Sequence, residues 1–335
     1  MKLLVTGGAG FIGSAFVRLA HQKGIQLTVF DKLTYAGDMR RIQGAKGIEF
    51  FPLDISDRPS LENAFIKGRF DTIVHFAAET HVDRSILNPD IFTFSNVIGT
   101  TNLLELSLKY GIERFIHIST DEVYGELISG KSVKFKETDA LLPNSPYSAS
   151  KASADMFARA FNRTYGLPVI IVRPSNNYGQ WQYPEKLMPL FIAKLLLGEK
   201  LPVYGKGENI RTWLFVEDCV DAIFEIMEKG LAGEIYNIGS NEERRNIDVV
   251  RSLLMLMGKG DEMIDFVADR PGHDFRYAID TSKIKTEIGW SASVSFEQGI
   301  EKTVKWYIDN QDWLLSKKRE TDEFVRLLRE RYKKI

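Results

Sequence analysis

The chain has 335 residues, 44% of them hydrophobic and 27% charged, enough to bury a large core as two domains or one enlarged one. Its 44 Lys and Arg nearly cancel its 45 Asp and Glu, so no global charge argues for a nucleic-acid or membrane-surface partner, and an anionic ligand must be held by local features. The single cysteine, Cys219, excludes an intrachain disulfide framework and a cysteine-based zinc site, and no stretch reaches the roughly 18 uncharged apolar residues of a membrane span. A cytoplasmic protein without a metal is expected.

Short apolar runs at Lys2–Thr6, Gln26–Phe30, Ile48–Pro52, Thr72–Phe76, Phe115–Ser119 and Val169–Arg173 alternate with longer amphipathic stretches. This is the pattern of β-α-β units building a parallel sheet, and it predicts an α/β, doubly wound fold. Each run ends in polar or glycine-rich residues, and ligands of such sheets bind outside the carboxyl ends of the strands. From about residue 178 the pattern loses regularity, with Pro184, Pro189, Pro202 and glycines at 198, 205 and 207. A smaller, discontinuous second domain is expected at 178–211 and about 241–312. The first domain, 1–177, is expected to be rejoined by about 212–240, where Thr212–Val216, Asp218–Glu228 and Ile235–Gly239 read as strand, helix and strand. From Trp313 onward the chain reads as a charged helical tail with Phe324, Leu327, Leu328 and Tyr332 interspersed, either solvated or packed in a dimer.

Between the first strand and its helix stands Thr6-Gly7-Gly8-Ala9-Gly10-Phe11-Ile12-Gly13. Glycines at this spacing let the backbone turn sharply and approach a pyrophosphate, whose charge then sits at a helix N-terminus. Asp31, 18 residues beyond Gly13, closes the second strand. A carboxylate there accepts hydrogen bonds from the adenosine ribose hydroxyls and repels a 2′-phosphate, which favours NAD over NADP, with Lys32 beside it pulling the other way. Asp54 and Ile55 close the third strand where an adenine would lie.

Tyr147 and Lys151 are four residues apart, on one helical face. An ammonium beside a phenol favours the phenolate, so Tyr147 is expected to be lowered towards neutrality as a base for a sugar hydroxyl. Here the chain resembles the extended short-chain dehydrogenase/reductase family, with Thr120 in the position of its catalytic Ser or Thr. Asp121 and Glu122 follow at the strand end. A dehydration needs one neutral carboxyl to protonate a departing hydroxyl and one ionised carboxylate to remove the neighbouring carbon-bound proton, and unequal environments supply both.

The run Ser119-Thr120-Asp121-Glu122-Val123-Tyr124-Gly125 resembles that of the dTDP-glucose 4,6-dehydratases. So do Asp31–Gly37, Ala77–Ser85, Pro146–Lys151, Ser175–Gly179, Pro184–Leu187 and Asp269–Asp274, which spread the resemblance over roughly residues 1–310. The resemblance implies a Rossmann-type NAD-binding domain and a cycle on a bound hexose. Tyr147 takes the C4 hydroxyl proton while hydride passes to NAD⁺, with Thr120 and Lys151 orienting the groups. Glu122 then removes the C5 hydrogen as Asp121 protonates the C6 hydroxyl, water leaves, hydride returns to C6 and a proton is restored at C5. It further implies that Leu33, Thr34, Phe76, Ala77, Ala78, Ser95 and Asn177 join Gly7, Gly10, Phe11, Ile12, Gly13, Asp31, Lys32, Asp54, Ile55, Tyr147 and Lys151 around the cofactor. Thr80, Thr120, Asn176 and Arg211 are implied at the sugar and diphosphate. Lys186, Leu187, Pro202, Val203 and Tyr204 would line the nucleoside pocket, with Asn246, Asp269, Arg270 and His273 closing it. A homodimer is expected by family likeness, through helices that include the one bearing Tyr147.

Thr80 stands where Ser is usual in that family, Gln180 where Pro is common and Thr212 where Asp is common. The last two leave the nucleobase open between thymine and uracil, which differ by a methyl worth only about 1–3 kcal/mol in a pocket. A UDP-sugar 4-epimerase or a UDP-glucuronate decarboxylase would share the glycine motif, Tyr147 and Lys151, but neither usually carries the Asp-Glu pair. Outside catalysis, an NAD-binding regulatory protein would keep the fold and lose the turnover.

Overall fold

The structure is a computed structural model that describes residues 1–127, 133–269 and 274–332, with the side chains of 324, 325 and 327–332 left aside. The strands are β1 (Lys2–Thr6), β2 (Gln26–Asp31), β3 (Glu49–Pro52), β4 (Thr72–His75), β5 (Arg114–Ile118), β6 (Val169–Pro174), β7 (Asn176–Tyr178), β8 (Leu201–Tyr204), β9 (Ile210–Phe215), β10 (Ile235–Ile238), β11 (Glu243–Arg245) and β12 (Ile264–Val267). The helices are α1 (Phe11–Gln22), α2 (Arg58–Gly68), α3 (Val82–Leu87), α4 (Pro89–Phe92), α5 (Gly99–Lys109), α6 (Pro146–Tyr165), α7 (Leu187–Leu196), α8 (Val216–Lys229), α9 (Asn246–Leu256), α10 (Ser282–Glu287), α11 (Phe296–Asp309) and α12 (Gln311–Tyr332).

Seven strands form one sheet in the order β10-β6-β5-β4-β1-β2-β3, every neighbouring pair parallel. The order reverses direction between β1 and β4, which opens a crevice at their carboxyl ends. Buried strands such as β4 (Thr-Ile-Val-His) carry apolar side chains on both faces, because helices cover both sides. One core holds Val5, Val29, Ile116 and Val172 against α1 and α8, and the other holds Leu4, Ile73, Phe115 and Ile171 against α2, α5 and α6.

The second layer has two small sheets, β11-β9-β7 and β12-β8, and its core joins α7, α9, α11 and the start of α12. Residues 212–240 divide between the layers. β10 enters the large sheet and α8 packs on α1, whereas β9 pairs with β7 and β11 instead. Ile284, Ile288 and Trp290, inside the 241–312 segment, pack into the large-sheet core, because α10 lies along edge strand β10.

The tail expectation needs correction at its start. Trp313 and Leu314 are buried in the second core, Lys318 and Thr321 are buried beside them, and the Trp313 indole donates to Asp38 Oδ2 at 2.8 Å. Aromatic packing with Trp181, Trp306 and Tyr307 outweighs the charged composition of this helix. Phe324, Leu327, Leu328 and Tyr332 fall outside the described side chains. Among the described residues no helix is long and apolar enough to cross a membrane.

Candidate active site

The glycine turn is dictated by backbone proximity. Gly7 has φ +70°, and a Cβ there would stand 2.5 Å from the Ala77 amide at the end of β4. A Cβ on Gly13 would stand 2.2 Å from the Gly7 carbonyl oxygen, so α1 can start this close to β1 only without a side chain. The N-terminus of α1 follows Gly10 with no side-chain cap, leaving its amides to an anion.

Asp31 is nearly buried at the end of β2 and accepts from the Ala9 amide at 2.9 Å and the Leu33 amide at 2.8 Å. Burial raises its pKa against those two hydrogen bonds. Lys32 is engaged on the protein itself: its Nζ donates to Ser95 Oγ at 2.8 Å and lies 3.5 Å from both Asp54 and Glu79. Its charge is answered by two carboxylates, which leaves little for a 2′-phosphate. Ser95 reaches this point because Thr93–Ile98 is a π-helical turn, whose Asn96 also bridges Glu79 to Ser150 on α6.

These residues line one cleft of about 280 Å³ at the carboxyl ends of the strands. Gly7, Gly10, Phe11, Ile12, Gly13, Thr34, Ile55, Phe76, Ala77, Ala78 and Asn177 line it with Asp31, Lys32, Asp54 and Ser95, and so do Thr80, Thr120, Asp121, Glu122, Tyr147, Lys151, Asn176 and Lys186. Leu33 does not: it turns with φ +53° and exposes its side chain, contributing its amide to Asp31 instead.

Thr120 caps a 3-10 turn over Asp121–Tyr124, its hydroxyl accepting from the Glu122 amide at 3.3 Å. Asp121 is 2% exposed, and its Oδ2 has no partner among the described residues. Burial, then the charge of Glu122, pushes its pKa up to about 8 against the pull of Arg211, so its carboxyl is neutral at pH 7. Adjacent residues in one turn thus differ in standing, since Glu122 is only half-buried.

Helix α6 begins with a Ser145/Ser148 capping box and Pro146 in its first turn, which fixes Tyr147 at the rim of β5. The expected lowering of Tyr147 is corrected. Lys151 Nζ donates to the Ile118 carbonyl at 2.7 Å, and burial lowers its pKa to about 8. Tyr147 is raised well above the usual phenol range by burial and by the charges of Glu122, Asp121 and Asp155, and Thr120 is the group that eases it. Spacing put Lys151 on the right face but did not set where its ammonium points.

Of the residues expected around a nucleoside, Lys186 lines the cleft, and Leu187, Pro202, Val203, Tyr204, Asn246 and Asp269 do not. Arg211 is buried, donates to the carbonyls of Ile210, Phe275 and Asp274, and stacks on Tyr277 at 4.4 Å. Pro202 and Tyr204 face outward from β8, next to Gly205, whose missing Cβ would meet Asp269 at 3.3 Å. Asn246 begins α9 nearby, its amide on the Asn209 carbonyl at 2.9 Å. Val203 is corrected: it is 3% exposed and packs in the second core, as the alternation of a strand requires. Leu187, at the start of α7, packs against the same core. Arg270 and His273 lie outside the described residues. Lys186 Nζ reaches the Thr80 carbonyl at 3.1 Å.

Two cleft residues, Arg41 and Glu185, carry no role in the expectations drawn from the sequence. Arg41 is buried, with its guanidinium on the carbonyls of Ala9, Ala36 and Trp181. Glu185 is a buried wall residue that accepts from Tyr35 at 3.1 Å and lies 3.4 Å from Arg84. The Arg84 guanidinium stacks on Tyr35 at 3.5 Å, and no local motif announces such a pairing.

A parallel sheet of this order with Tyr147, Lys151 and Thr120 at its crevice defines an extended short-chain dehydrogenase/reductase. A sequence profile of the family described as GDP-mannose 4,6 dehydratase matches residues 4–303, and the chain belongs to that family. It is 47% identical to the dTDP-glucose 4,6-dehydratase of Escherichia coli, covering 93% of this chain and 95% of that one. DesIV, a dTDP-glucose 4,6-dehydratase from Streptomyces venezuelae solved with NAD and dTDP bound, superposes with a TM-score of 0.90 at 46% identity, covering 93% of this chain and 98% of that one. A UDP-glucose 4-epimerase from Thermotoga maritima superposes almost as well, with a TM-score of 0.88, at 33% identity and over 93% and 100% of the two chains.

Proposed function

We propose that the chain converts dTDP-glucose to dTDP-4-keto-6-deoxyglucose with NAD as its resident cofactor. The observation that carries this reading is the pair Asp121 and Glu122: one carboxyl buried with its pKa pushed up to about 8, its neighbour half-buried, both on the cleft that holds Tyr147. A 4-epimerase shares the fold and the Tyr-Lys pair and has no use for a neutral carboxylic acid at C6.

The cleft fits the cofactor. An uncapped helix N-terminus stands where a pyrophosphate would lie, Asp31 where a ribose would lie, and the buried Asn176 Oδ1 lacks a partner among the described residues. NAD, when bound, supplies a hydride acceptor for C4, a hydride for C6, and a positive ring charge that opposes the push of the carboxylates on the phenol. Tyr147 accepts the C4 hydroxyl proton, with Thr120 donating to the same oxygen and Lys151 steadying the site from the Ile118 carbonyl. The resulting ketone acidifies C5, Glu122 removes that hydrogen, Asp121 gives its proton to the C6 hydroxyl as water departs, and Glu122 returns its proton to C5 as C6 is reduced. Arg211, Lys186 and Asn176 meet the diphosphate, and the Pro202–Tyr204 strand with Asn246 and Asp269 holds the base. The site works in the cytoplasm on a nucleotide-sugar. The protein pairs with a second copy through the α5–α6 side, where Phe94, Ile98, Met156 and Phe157 are exposed.

The test is incubation of purified protein with dTDP-glucose, UDP-glucose and UDP-glucuronate, without added reductant, followed by mass spectrometry. Loss of one water from dTDP-glucose is expected. Inversion at C4 without mass change, loss of carbon dioxide, or preference for the uridine nucleotide would each replace this reading.

A further inference from the structure

Tyr124 belongs to the same 3-10 turn as Asp121 and Glu122, yet the proposed chemistry gives it nothing to do. Its side chain is 1% exposed and fully engaged. The hydroxyl accepts from Arg173 Nη1 at 2.8 Å and donates to Asn237 Oδ1 at 2.8 Å, and the ring stacks on Phe135 at 5.0 Å. Arg173, on β6, places its guanidinium 4.8 Å from that ring and donates from Nε to Asp155 Oδ2 at 2.9 Å. Asp155 is fully buried on α6, with His117 Nε2 3.2 Å from its other oxygen. Tyr147, Lys151 and Asp155 follow one another at four-residue steps and so share a face of α6. Asn237, on β10, is itself fixed by donating to the carbonyls of Phe135 and Asp280.

The turn needs such an anchor. The Asp121 carboxyl has only a 3.4 Å contact from Thr120 on Oδ1 and no partner on Oδ2 among the described residues, so its position is set by the backbone of the turn. At the far end Gly125 is clamped, since a Cβ there would stand 2.2 Å from the Leu142 carbonyl. Between these points Tyr124 ties the turn to the sheet and, through Arg173, to α6.

We infer that Tyr124, Arg173 and Asp155 form a buried strut that holds the Asp121–Glu122 turn in register with the α6 face bearing Tyr147 and Lys151, so that one bound hexose meets both pairs. These are positioning residues. The inference rests on the proposed dehydration, in which oxidation at C4 and water loss across C5 and C6 use different residues of one cleft. A displacement of about 1 Å in such a site costs on the order of 100-fold in rate, and here it would fall on one step only.

The experiment uses the full-length holoenzyme with NAD and dTDP-glucose under single-turnover conditions. Appearance of reduced nicotinamide reports C4 oxidation, and mass spectrometry of the sugar reports water loss. Tyr124→Phe removes one hydroxyl from a site of unchanged shape. Its C4 oxidation is expected within about 2-fold of wild type and its water loss about 10- to 100-fold slower, so that reduced cofactor and the undehydrated 4-keto sugar accumulate. Arg173→Lys keeps the buried charge but cannot span Asp155 and Tyr124 together, and is expected to show the same split if Tyr124→Phe fails to fold. Tyr236→Phe, which loses a hydroxyl bonded to Glu287 on the outer side of β10, is the matched control and is expected to leave both steps unchanged. Equal slowing of both steps, or none, in the strut variants overturns the inference. A wild-type protein that releases no water overturns the dehydration reading and the strut with it, and that result is read before any variant is made.

Discussion

Replacing Asp121 by Asn should make the protein more stable, and increasingly so as pH rises. The carboxyl is 2% exposed, and its pKa is raised from 3.8 to about 8, by burial first and by Glu122 second. Between those two values the folded state holds a proton that the unfolded chain has released. The stability this group allows is therefore fully present below its unfolded pKa and is lost as pH rises through the folded one. At 1.36 kcal/mol per unit, the span from 3.8 to about 8 corresponds to about 6 kcal/mol at full ionisation, of which about 4 kcal/mol has accrued by pH 7. Asn is neutral throughout and escapes this loss. Urea unfolding of wild type and Asp121→Asn, at matched NAD concentration and at about one-unit intervals from about pH 5 to about pH 9, reads the gap directly. It should widen by about 1.4 kcal/mol per pH unit up to about pH 8 and then level. A gap that stays constant over this range would mean that the carboxyl ionises normally, and Asp121 could not serve as the neutral acid. The same variant should lose water elimination, because a gain in stability at the expense of turnover is what a strained functional group leaves behind when it is removed.

Glu122→Gln should block loss of water while still allowing cofactor reduction at C4, and Tyr147→Phe should block both, as followed by nicotinamide absorbance and product mass. A Glu122→Gln protein that dehydrates at the native rate would remove Glu122 from its role. Gly13→Ala places a methyl 2.2 Å from the Gly7 carbonyl, where only backbone could yield. It should cost about 1–3 kcal/mol of stability and abolish retention of NAD, measured as cofactor content after gel filtration. Trp313→Ala should cost about 3–5 kcal/mol from lost aromatic packing. It should also weaken NAD binding in titration calorimetry, since Asp38, the partner of the indole, donates its amide to the Ala9 carbonyl inside the glycine turn; unchanged affinity would uncouple α12 from the cofactor end.

What the sequence made legible was whatever depends on short-range geometry. The glycine turn could be read because a missing Cβ is a local requirement, and β1 begins and ends where its apolar run does. The alternation of Leu201-Pro202-Val203-Tyr204 would also have placed Val203 inside and Tyr204 outside, had period been preferred to family pattern. Other features are long-range by nature. Arg41 meets Trp181 across 140 residues, and Trp313 meets Asp38 across 275, so nothing near either residue signals its partner. The charged composition of α12 misled for the same reason: Trp313, Leu314 and Leu315 at its start pack into a core built from distant parts of the chain.

The residue types at 121, 122 and 147 could be read from the chain, but their protonation order could not, because burial and mutual charge set it. Burial first, and then the charge of Glu122, raises the Tyr147 phenol, and an ionised Asp121 would add to that push. If Asp121 were ionised, the cleft would carry one more full negative charge, and the phenolate that C4 oxidation needs on the proposed reading would be harder to form. Keeping Asp121 neutral therefore serves two steps on the proposed reading: it spares the phenol one repulsive neighbour at the start and stores the proton that the C6 hydroxyl takes as it leaves. On that reading Tyr147 ends the oxidation holding the C4 proton and Asp121 ends the elimination without its own, so a net transfer of one proton from Tyr147 to Asp121 resets the pair for the next turnover. On the proposed reading the two carboxylates therefore bear on the oxidation as well as on the elimination.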